Sequence, residues 1–155
     1  LTASLLGLLL AVQLGVLNGA PPADLGVKDG RLKPPSLTRN SVSSQAALYP
    51  GHVQLDYARI APLPIKNGDP AGALQVLLPV LQAMPGMTVI EQTPDYLYAQ
   101  AQTRWMKFVD DVEFSVNGKD GVIEMRSASR LGREDFGANR ARIEAIRAAY
   151  LRAIR

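Results

Sequence analysis

The carboxylates that lie closest together in this sequence, Asp110, Asp111 and Glu113, are the first candidates for acid–base or metal chemistry. In a strand, Asp111 and Glu113 project to one face and Asp110 to the other, so the adjacent aspartates do not form a catalytic pair. A metal site would also need oxygen ligands from another segment, such as Glu124 on the next strand. We expect a solvated strand face, or carboxylates paired with nearby arginines. These arginines are Arg126, Arg130 and Arg133.

The remaining candidates for catalysis lack the partners that their chemistry requires. His52 is the only histidine, and the sequence shows neither the orienting group nor the nucleophile that a general base needs. Ser43 and Ser44 have no Gly-x-Ser-x-Gly context, and the lack of cysteine excludes thiol chemistry and Cys/His zinc sites. We therefore expect no catalytic residue, no metal site and no cofactor, and a protein that is not an enzyme.

Residues 126–137 (RSASRLGREDFG) form the polar segment that hydrophobic patterning explains least. The segment leaves a predicted strand, turns through two glycines and enters the last predicted helix. A polar loop fixed between rigid elements is a common position for binding residues. The alternative is a structural network of ion pairs. The predicted binding residues are Arg126, Arg130, Arg133, Asp135 and Asn139.

The composition fits one folded domain and argues against nucleic acid as a partner. The chain has 155 residues, 47% of them hydrophobic, and a net charge of only +3. The last predicted helix carries five arginines, at positions 140, 142, 147, 152 and 155. They suit an anionic lipid surface or an acidic protein, or simply a solvated helix face. The single tryptophan and the tyrosines do not interleave with them, so we expect no nucleic acid.

Residues 1–20 (LTASLLGLLLAVQLGVLNGA) contain no charged side chain. A helix of this length is about 30 Å long, which matches one hydrocarbon thickness of a bilayer, and we expect a membrane anchor. A secretory signal, cleaved or uncleaved, and a helix buried in the protein core are the alternatives. Lys28, Arg31 and Lys33 follow this segment, and the positive-inside rule would place the folded domain on the cytoplasmic side.

Residues 21–68 hold seven of the 11 prolines and are predicted to be an irregular, extended strap. A structureless loop of this length is rare in a compact domain. We therefore expect the strap to lie across the folded core and to contribute one short strand around residues 53–60.

Residues 69–155 are predicted to form an α+β core domain. A helix is expected over residues 69–84, capped by Asp69 and kinked or split by Pro79. A second amphipathic helix spans residues 139–154. Between them lie two predicted hairpins, with strands at 88–92, 96–102, 109–116 and 122–127. This order predicts a two-layer sandwich with both helices on one face of a four-stranded antiparallel sheet.

Four motifs resemble a family of bacterial and plastid proteins. They are NSVSSQ at 40–45, IAPLP at 60–64, FVDDVEF at 108–114 and RSASRLGREDFGANRARIEAIR at 126–147. On these motifs the chain resembles the domain of unknown function 1499 family over about residues 25–155. The resemblance implies no established biochemical activity.

The resemblance also has implications for location and for the strap. Members often carry an N-terminal hydrophobic segment and act outside the cytoplasm, and those of photosynthetic lineages are associated with thylakoids. The resemblance therefore implies a periplasmic or thylakoid-lumenal domain, against the charge argument above. Members commonly have a cysteine pair in the strap, and the corresponding positions here are Pro35 and Ser41. Any role of that pair is therefore absent from this chain.

We expect a non-enzymatic accessory or assembly subunit of a membrane protein complex, attached to the lipid bilayer through residues 1–20. The thylakoid association of the family makes a photosynthetic complex, of photosystem or reaction-centre type, the partner that the resemblance implies. The alternative is a binding domain for a lipid, pigment or other small hydrophobic ligand held between sheet and helices.

Overall fold

The computed structural model describes residues 2–155. Its first element is helix α1, Thr2–Gln13, and position 1 of the predicted anchor lies outside the described residues. The helix predicted over residues 1–20 is therefore shorter than expected. It ends because Gly15 adopts a left-handed conformation (φ +89°) and Asn18 N–H donates to the Gly15 carbonyl in a turn. Among residues 2–155, no helix has both the length and the apolar character that crossing a membrane requires.

The two predicted hairpins are confirmed almost to the residue. The four strands are β3 (Met87–Gln92), β4 (Tyr96–Gln102), β5 (Val109–Asn117) and β6 (Val122–Ser129), and they pair antiparallel in this order. In the β5–β6 turn, Asn117 Nδ2 donates to Asp120 Oδ2 at 2.8 Å, and Asp120 N–H donates back to Asn117 Oδ1 at 3.2 Å. This local hydrogen bonding is the turn chemistry that the Asn-Gly and Asp-Gly pairs predict.

The sheet has six strands rather than the predicted four, because the strap supplies two more. Strands β1 (Ser41–Ser43) and β2 (Leu63–Pro64) both pair antiparallel with β6, and the main order is β1-β6-β5-β4-β3. The strand predicted at residues 53–60 is wrong, since this region contains a one-turn helix, α2 (Leu55–Ala58). Two strap segments already occupy the outer edge of β6, and the chain between them makes only a single parallel bridge, between Arg59 and Ser43 of β1.

Both long helices pack on one face of the sheet, as predicted. They are α3 (Ala73–Gln82) and α4 (Ala138–Ala153). Helix α3 begins after Gly72, whereas Asp69 accepts a hydrogen bond from Ala71 N–H in the preceding turn and does not cap the helix. Pro79 does not split α3, which is continuous from Ala73 to Gln82, and Pro79 lies on the exposed side of the helix.

The apolar core fills the layer between the helices and the sheet. Its largest fully buried side chains come from α3 and α4 and from alternate positions of the strands. They include Leu74, Leu77, Leu81, Leu97, Phe114, Met125, Ile143, Ile146 and Tyr150. The opposite face of the sheet is polar and is covered by the first half of the strap. Four of the sequence candidates for chemistry lie on this covered polar face, namely Asp111, Glu113, Arg126 and Arg130.

Candidate functional site

The polar face of the sheet is built by strand alternation. Asp111 and Glu113 both project to this face from β5, as predicted. Glu113 lies opposite Arg126 on β6 and opposite Tyr98 on β4. The expectation of a solvated strand face is wrong, because Asp111 and Glu113 are at most 1% exposed. The other expectation, pairing with the arginines of β6, is confirmed for Arg126 and Arg130.

Arg130 forms the better-satisfied of the two ion pairs on this face. Its Nη2 and Nε lie 2.7 Å and 2.9 Å from the two carboxylate oxygens of Asp111, which is a bidentate arrangement. Nη2 also donates to the Tyr98 hydroxyl, and Nη1 donates to the Gly19 carbonyl at 3.3 Å. The hydrogen bonds to Asp111 raise the pKa of Arg130. Arg130 therefore fastens the chain just before the strap to the sheet.

Arg126 and Glu113 form a looser pair that is more deeply buried. Arg126 Nη1 lies 3.5 Å from Glu113 Oε2, and the two side chains are only 4% and 0% exposed. The contact is not an aligned hydrogen bond, so Glu113 Oε2 is left without a donor. Burial lowers the pKa of Arg126, although the neighbouring carboxylates oppose this effect.

The strap closes over this pair through backbone groups. Glu113 Oε1 accepts hydrogen bonds from Gly26 N–H at 2.8 Å and from the Tyr96 hydroxyl at 2.9 Å. Arg126 Nε donates to the Pro34 carbonyl at 3.3 Å. Burial and then the charge of Glu113 raise the pKa of Tyr96, so its hydroxyl stays protonated as a donor. The strap is thus attached to the sheet by the charged side chains that it covers.

A second polar network joins the strap to α4 on the helix side of the sheet. Its centre is Asn139, which is fully buried. Asn139 Oδ1 accepts from the Ser127 hydroxyl at 2.6 Å, and its Nδ2 donates to the Asn40 carbonyl at 3.1 Å and to Asp135 Oδ2 at 2.8 Å. The Tyr57 hydroxyl donates to Asp135. These contacts hold the polar loop of residues 130–137 against α2 and the strap.

Asp110 points away from the polar face, and it also has an arginine partner. Asp110 Oδ2 lies 2.5 Å from Arg142 Nη2 of α4, and Arg142 Nη1 donates to Asn139 Oδ1 at 2.9 Å. Sequence reasoning did not assign Arg142 to this network. Its spacing of three from Asn139 on a helix was the available signal, since residues three apart share a helix face. Among residues 2–155, no group of three or more acidic or histidine side chains is arranged to hold a metal ion.

The five predicted binding residues therefore occupy three different places. Arg126 and Arg130 lie on the polar face, whereas Asp135 and Asn139 belong to the network on the other side. Arg133 is exposed and makes no ion pair or side-chain hydrogen bond with residues 2–155. Burial opposes a low pKa for Asp135, but hydrogen bonds from Tyr57 and from Asn139 outweigh it and lower the pKa.

A third feature, the apolar end, consists of exposed apolar side chains on α1 and on two loops beside it. Gln13 Nε2 at the end of α1 donates to the Trp105 carbonyl at 3.3 Å, and Gly19 lies against Leu131. Trp105 is 73% exposed and Phe136 is 91% exposed. The apolar end comprises Leu5, Leu6, Leu8, Leu9, Leu10, Trp105, Met106, Leu131 and Phe136.

The fold places the protein in the α+β class. It has a single antiparallel sheet with two helices on its apolar face, and buried ion pairs hold a strap over its polar face. The chain belongs to the family described as protein of unknown function (DUF1499), whose family model matches residues 31–150. The resemblance inferred from the motifs is thereby confirmed. No curated protein and no solved structure matches the chain significantly.

Proposed function

We propose that this chain is a non-enzymatic accessory or assembly subunit of a membrane protein complex, attached through α1 and the rest of the apolar end. The observation that supports the proposal is the exposure of α1. Its leucines at positions 5, 6, 8, 9 and 10 are between 55% and 68% exposed and cover more than half of the helix circumference. A helix that is apolar nearly all round is normally buried in a large protein or in lipid.

The free energy available from covering α1 is substantial. Complete burial of one leucine side chain contributes about 1.5–3 kcal/mol, so burying the exposed part of five leucines contributes roughly 5–9 kcal/mol before the costs of association. Trp105 and Phe136 extend the same surface, and Arg104 lies 5.1 Å from the centre of the Trp105 ring. A large aromatic ring beside a cation suits the boundary between an apolar environment and water.

The charged surroundings of the apolar end support docking by complementarity. Arg133 lies in the loop between Leu131 and Phe136, with its guanidinium exposed. An acidic protein surface or an anionic headgroup is the chemistry that such a cation attracts. The thylakoid association of related proteins supports a photosynthetic complex of photosystem or reaction-centre type, and a periplasmic or lumenal side.

The proposal is tested by isolating the native membrane complex in mild detergent and identifying by mass spectrometry the proteins that migrate with this chain. The decisive variant is Leu6→Asp, and the matched control is Val53→Asp, which is equally exposed but lies outside the apolar end. A charge on α1 that must enter an apolar environment costs about 2.5–3.5 kcal/mol. We expect stoichiometric co-migration for the wild type and Val53→Asp, and loss for Leu6→Asp. Migration of the wild type alone, or unchanged co-migration of Leu6→Asp, would contradict the proposal.

A small hydrophobic ligand is the second proposed function, supported by a different observation. A groove of about 330 Å³ between two loops is lined by Phe108, Leu131 and Phe136. The space between sheet and helices, where a ligand was expected, is filled by core side chains. Mass spectrometry of extracts from the purified protein is the test. A lipid or pigment at stoichiometric amounts would favour this function, and an empty protein would count against it.

A further inference from the structure

The strap and the polar face line a half-open cavity of about 370 Å³ that the attachment of α1 does not involve. The floor of the cavity is formed by Asp111, Arg126 and Arg130 of the sheet. Its roof is formed by strap residues 33–37, which include Lys33 at the rim and two prolines. Because prolines have no backbone N–H, this part of the roof presents fewer donors, and the charged side chains are the main source of binding chemistry.

The two arginines of the floor differ in how many of their donors are used. Arg130 uses four of its five N–H groups, in hydrogen bonds to Asp111, to the Tyr98 hydroxyl and to the Gly19 carbonyl. Arg126 is only 3% exposed, and its one hydrogen bond with residues 2–155 runs from Nε to the Pro34 carbonyl. Its two terminal nitrogens carry four N–H groups. Glu113 Oε2 lies 3.5 Å from Nη1 without accepting an aligned hydrogen bond. A buried cation with unused donors facing a cavity is costly unless an acceptor enters.

The carboxylates around the cavity make no aligned hydrogen bond with the terminal nitrogens of Arg126, although Glu113 Oε2 pairs loosely with Nη1. Both oxygens of Asp111 are taken by Arg130, and Glu113 Oε1 is taken by Gly26 N–H and the Tyr96 hydroxyl. Lys33 Nζ at the rim is paired with Asp24 at 2.6 Å, but both side chains are partly exposed and the pair is easily exchanged. The groups available to a ligand are therefore a planar guanidinium at depth and an ammonium at the entrance.

We propose that this cavity is a binding site for a phosphate group, held by Arg126 in the interior and by Lys33 at the rim. A guanidinium donates two parallel hydrogen bonds to oxyanions of this kind, and a lysine supplies a mobile point charge. The phosphate group is either free or carried on the headgroup of a lipid, and both have the same contact chemistry. The strap then acts as the cover that holds the anion against the sheet.

The first test uses the full chain with inorganic phosphate as the probe, measured by calorimetry and by thermal unfolding at constant ionic strength. We expect saturable binding that weakens at least fivefold in Lys33→Ala and is unchanged in Lys28→Ala, an exposed lysine that does not line this cavity. Equal binding by the two variants, or no saturation by the wild type, would overturn the proposal.

The second test uses Glu113→Gln, which keeps the acceptor for Gly26 N–H but removes the competing charge beside Arg126. Removing a carboxylate next to an anion site strengthens binding, because like charges repel strongly where the protein screens them less than water does. We expect at least tenfold tighter phosphate binding and a larger rise in Tm on adding phosphate than for the wild type. Weaker or unchanged binding in Glu113→Gln would show that Arg126 does not hold the anion.

A vesicle experiment distinguishes the two sources of the phosphate. Binding to vesicles of phosphatidic acid and phosphatidylcholine is compared between the wild type and Lys33→Ala. If vesicle binding depends on Lys33, the bound group is a lipid headgroup, and if only inorganic phosphate binding depends on it, the bound group is free. If neither depends on Lys33, the cavity holds only water and the inference fails. Leu6→Asp serves as the separate control for attachment through the apolar end.

Discussion

Replacing Asn139 by alanine is expected to destabilise the protein by about 4 kcal/mol. The side chain is fully buried where α4, β6 and the strap meet. It makes hydrogen bonds with Asn40, Ser127, Ser129, Asp135 and Arg142. Among residues 2–155, no other polar side chain links the strap, the sheet and α4 through so many contacts.

The magnitude follows from the number of hydrogen bonds that the substitution removes. Ser127 is 0% exposed and Asn40 is 7% exposed, so water does not readily replace the lost contacts. Each lost hydrogen bond costs about 0.5–1.5 kcal/mol, and the five bonds of the Asn139 side chain together cost about 2.5–7.5 kcal/mol. This is a large part of the 5–15 kcal/mol that is typical for a whole domain.

The assay is urea unfolding followed by far-ultraviolet circular dichroism. With a slope of about 2 kcal/mol per M, the midpoint should fall by about 2 M with little change of slope. Arg133→Ala is the matched control, because it removes an exposed residue of the same predicted site and should change stability by less than about 0.5 kcal/mol. Ser129→Ala removes only one of the hydrogen bonds and should cost about 1 kcal/mol. A midpoint for Asn139→Ala within error of the wild type would refute the reasoning.

Three further predictions concern other parts of the fold. Pro79→Ala should stabilise the protein by about 1–3 kcal/mol in the same assay, because it restores a hydrogen bond inside an intact helix. Burial and then the hydrogen bond to Asp135 raise the pKa of Tyr57 to about 12. The protonated Tyr57 hydroxyl therefore contributes fully to the free energy of unfolding below pH 10, and this contribution is lost as the pH rises towards 12. Tyr57→Phe should remove this part of the fall in stability that is measured between pH 9 and 11.5. The double variant Pro35→Cys/Ser41→Cys should form a disulfide and raise the free energy of unfolding by about 2 kcal/mol, because Ser36 N–H already donates to Ser41 Oγ at 2.8 Å.

Each of these expectations has a clear opposite result. A destabilised Pro79→Ala would mean that the restriction of the unfolded chain by proline outweighs the missing hydrogen bond. Identical alkaline profiles for the wild type and Tyr57→Phe would place the pKa of Tyr57 near its ordinary value. Two free thiols under oxidising conditions would show that positions 35 and 41 are too far apart or wrongly oriented for a disulfide.

The elements of the core could be predicted because their signals are local. The Asn-Gly and Asp-Gly pairs specify the β5–β6 turn, and the turn fixes the register that places Glu113 opposite Arg126. Strand alternation correctly separated Asp110 from the other two carboxylates. The periodicity of the two helices was likewise sufficient to place both of them on the apolar face.

The strap was predicted poorly because its structure depends on a distant partner. The segment at residues 53–60 has the composition of a strand, but two other strap segments, β1 and β2, pair with β6 instead. Which segment pairs with an edge strand is decided by the geometry of the whole sheet, and edge pairing has weak local signals. The exposure of α1 was also beyond sequence analysis, since an apolar helix has the same sequence whether it is covered or not.

The sequence by itself determined which side chains share a face, where the chain turns and which residues form the apolar core. Only the tertiary structure decided that the polar face is buried and that its charges are paired. The contacts that cover this face join Gly26 to Glu113, 87 residues apart, and Gly19 to Arg130, 111 residues apart. Side-chain alternation is a local property of the backbone, whereas burial of a charge depends on what the rest of the chain places above it. For this reason the sequence assigned the carboxylates to a face and named Arg126, Arg130 and Arg133 as alternative partners, whereas the fold decided which arginine pairs with which carboxylate and formed the cavity beside them.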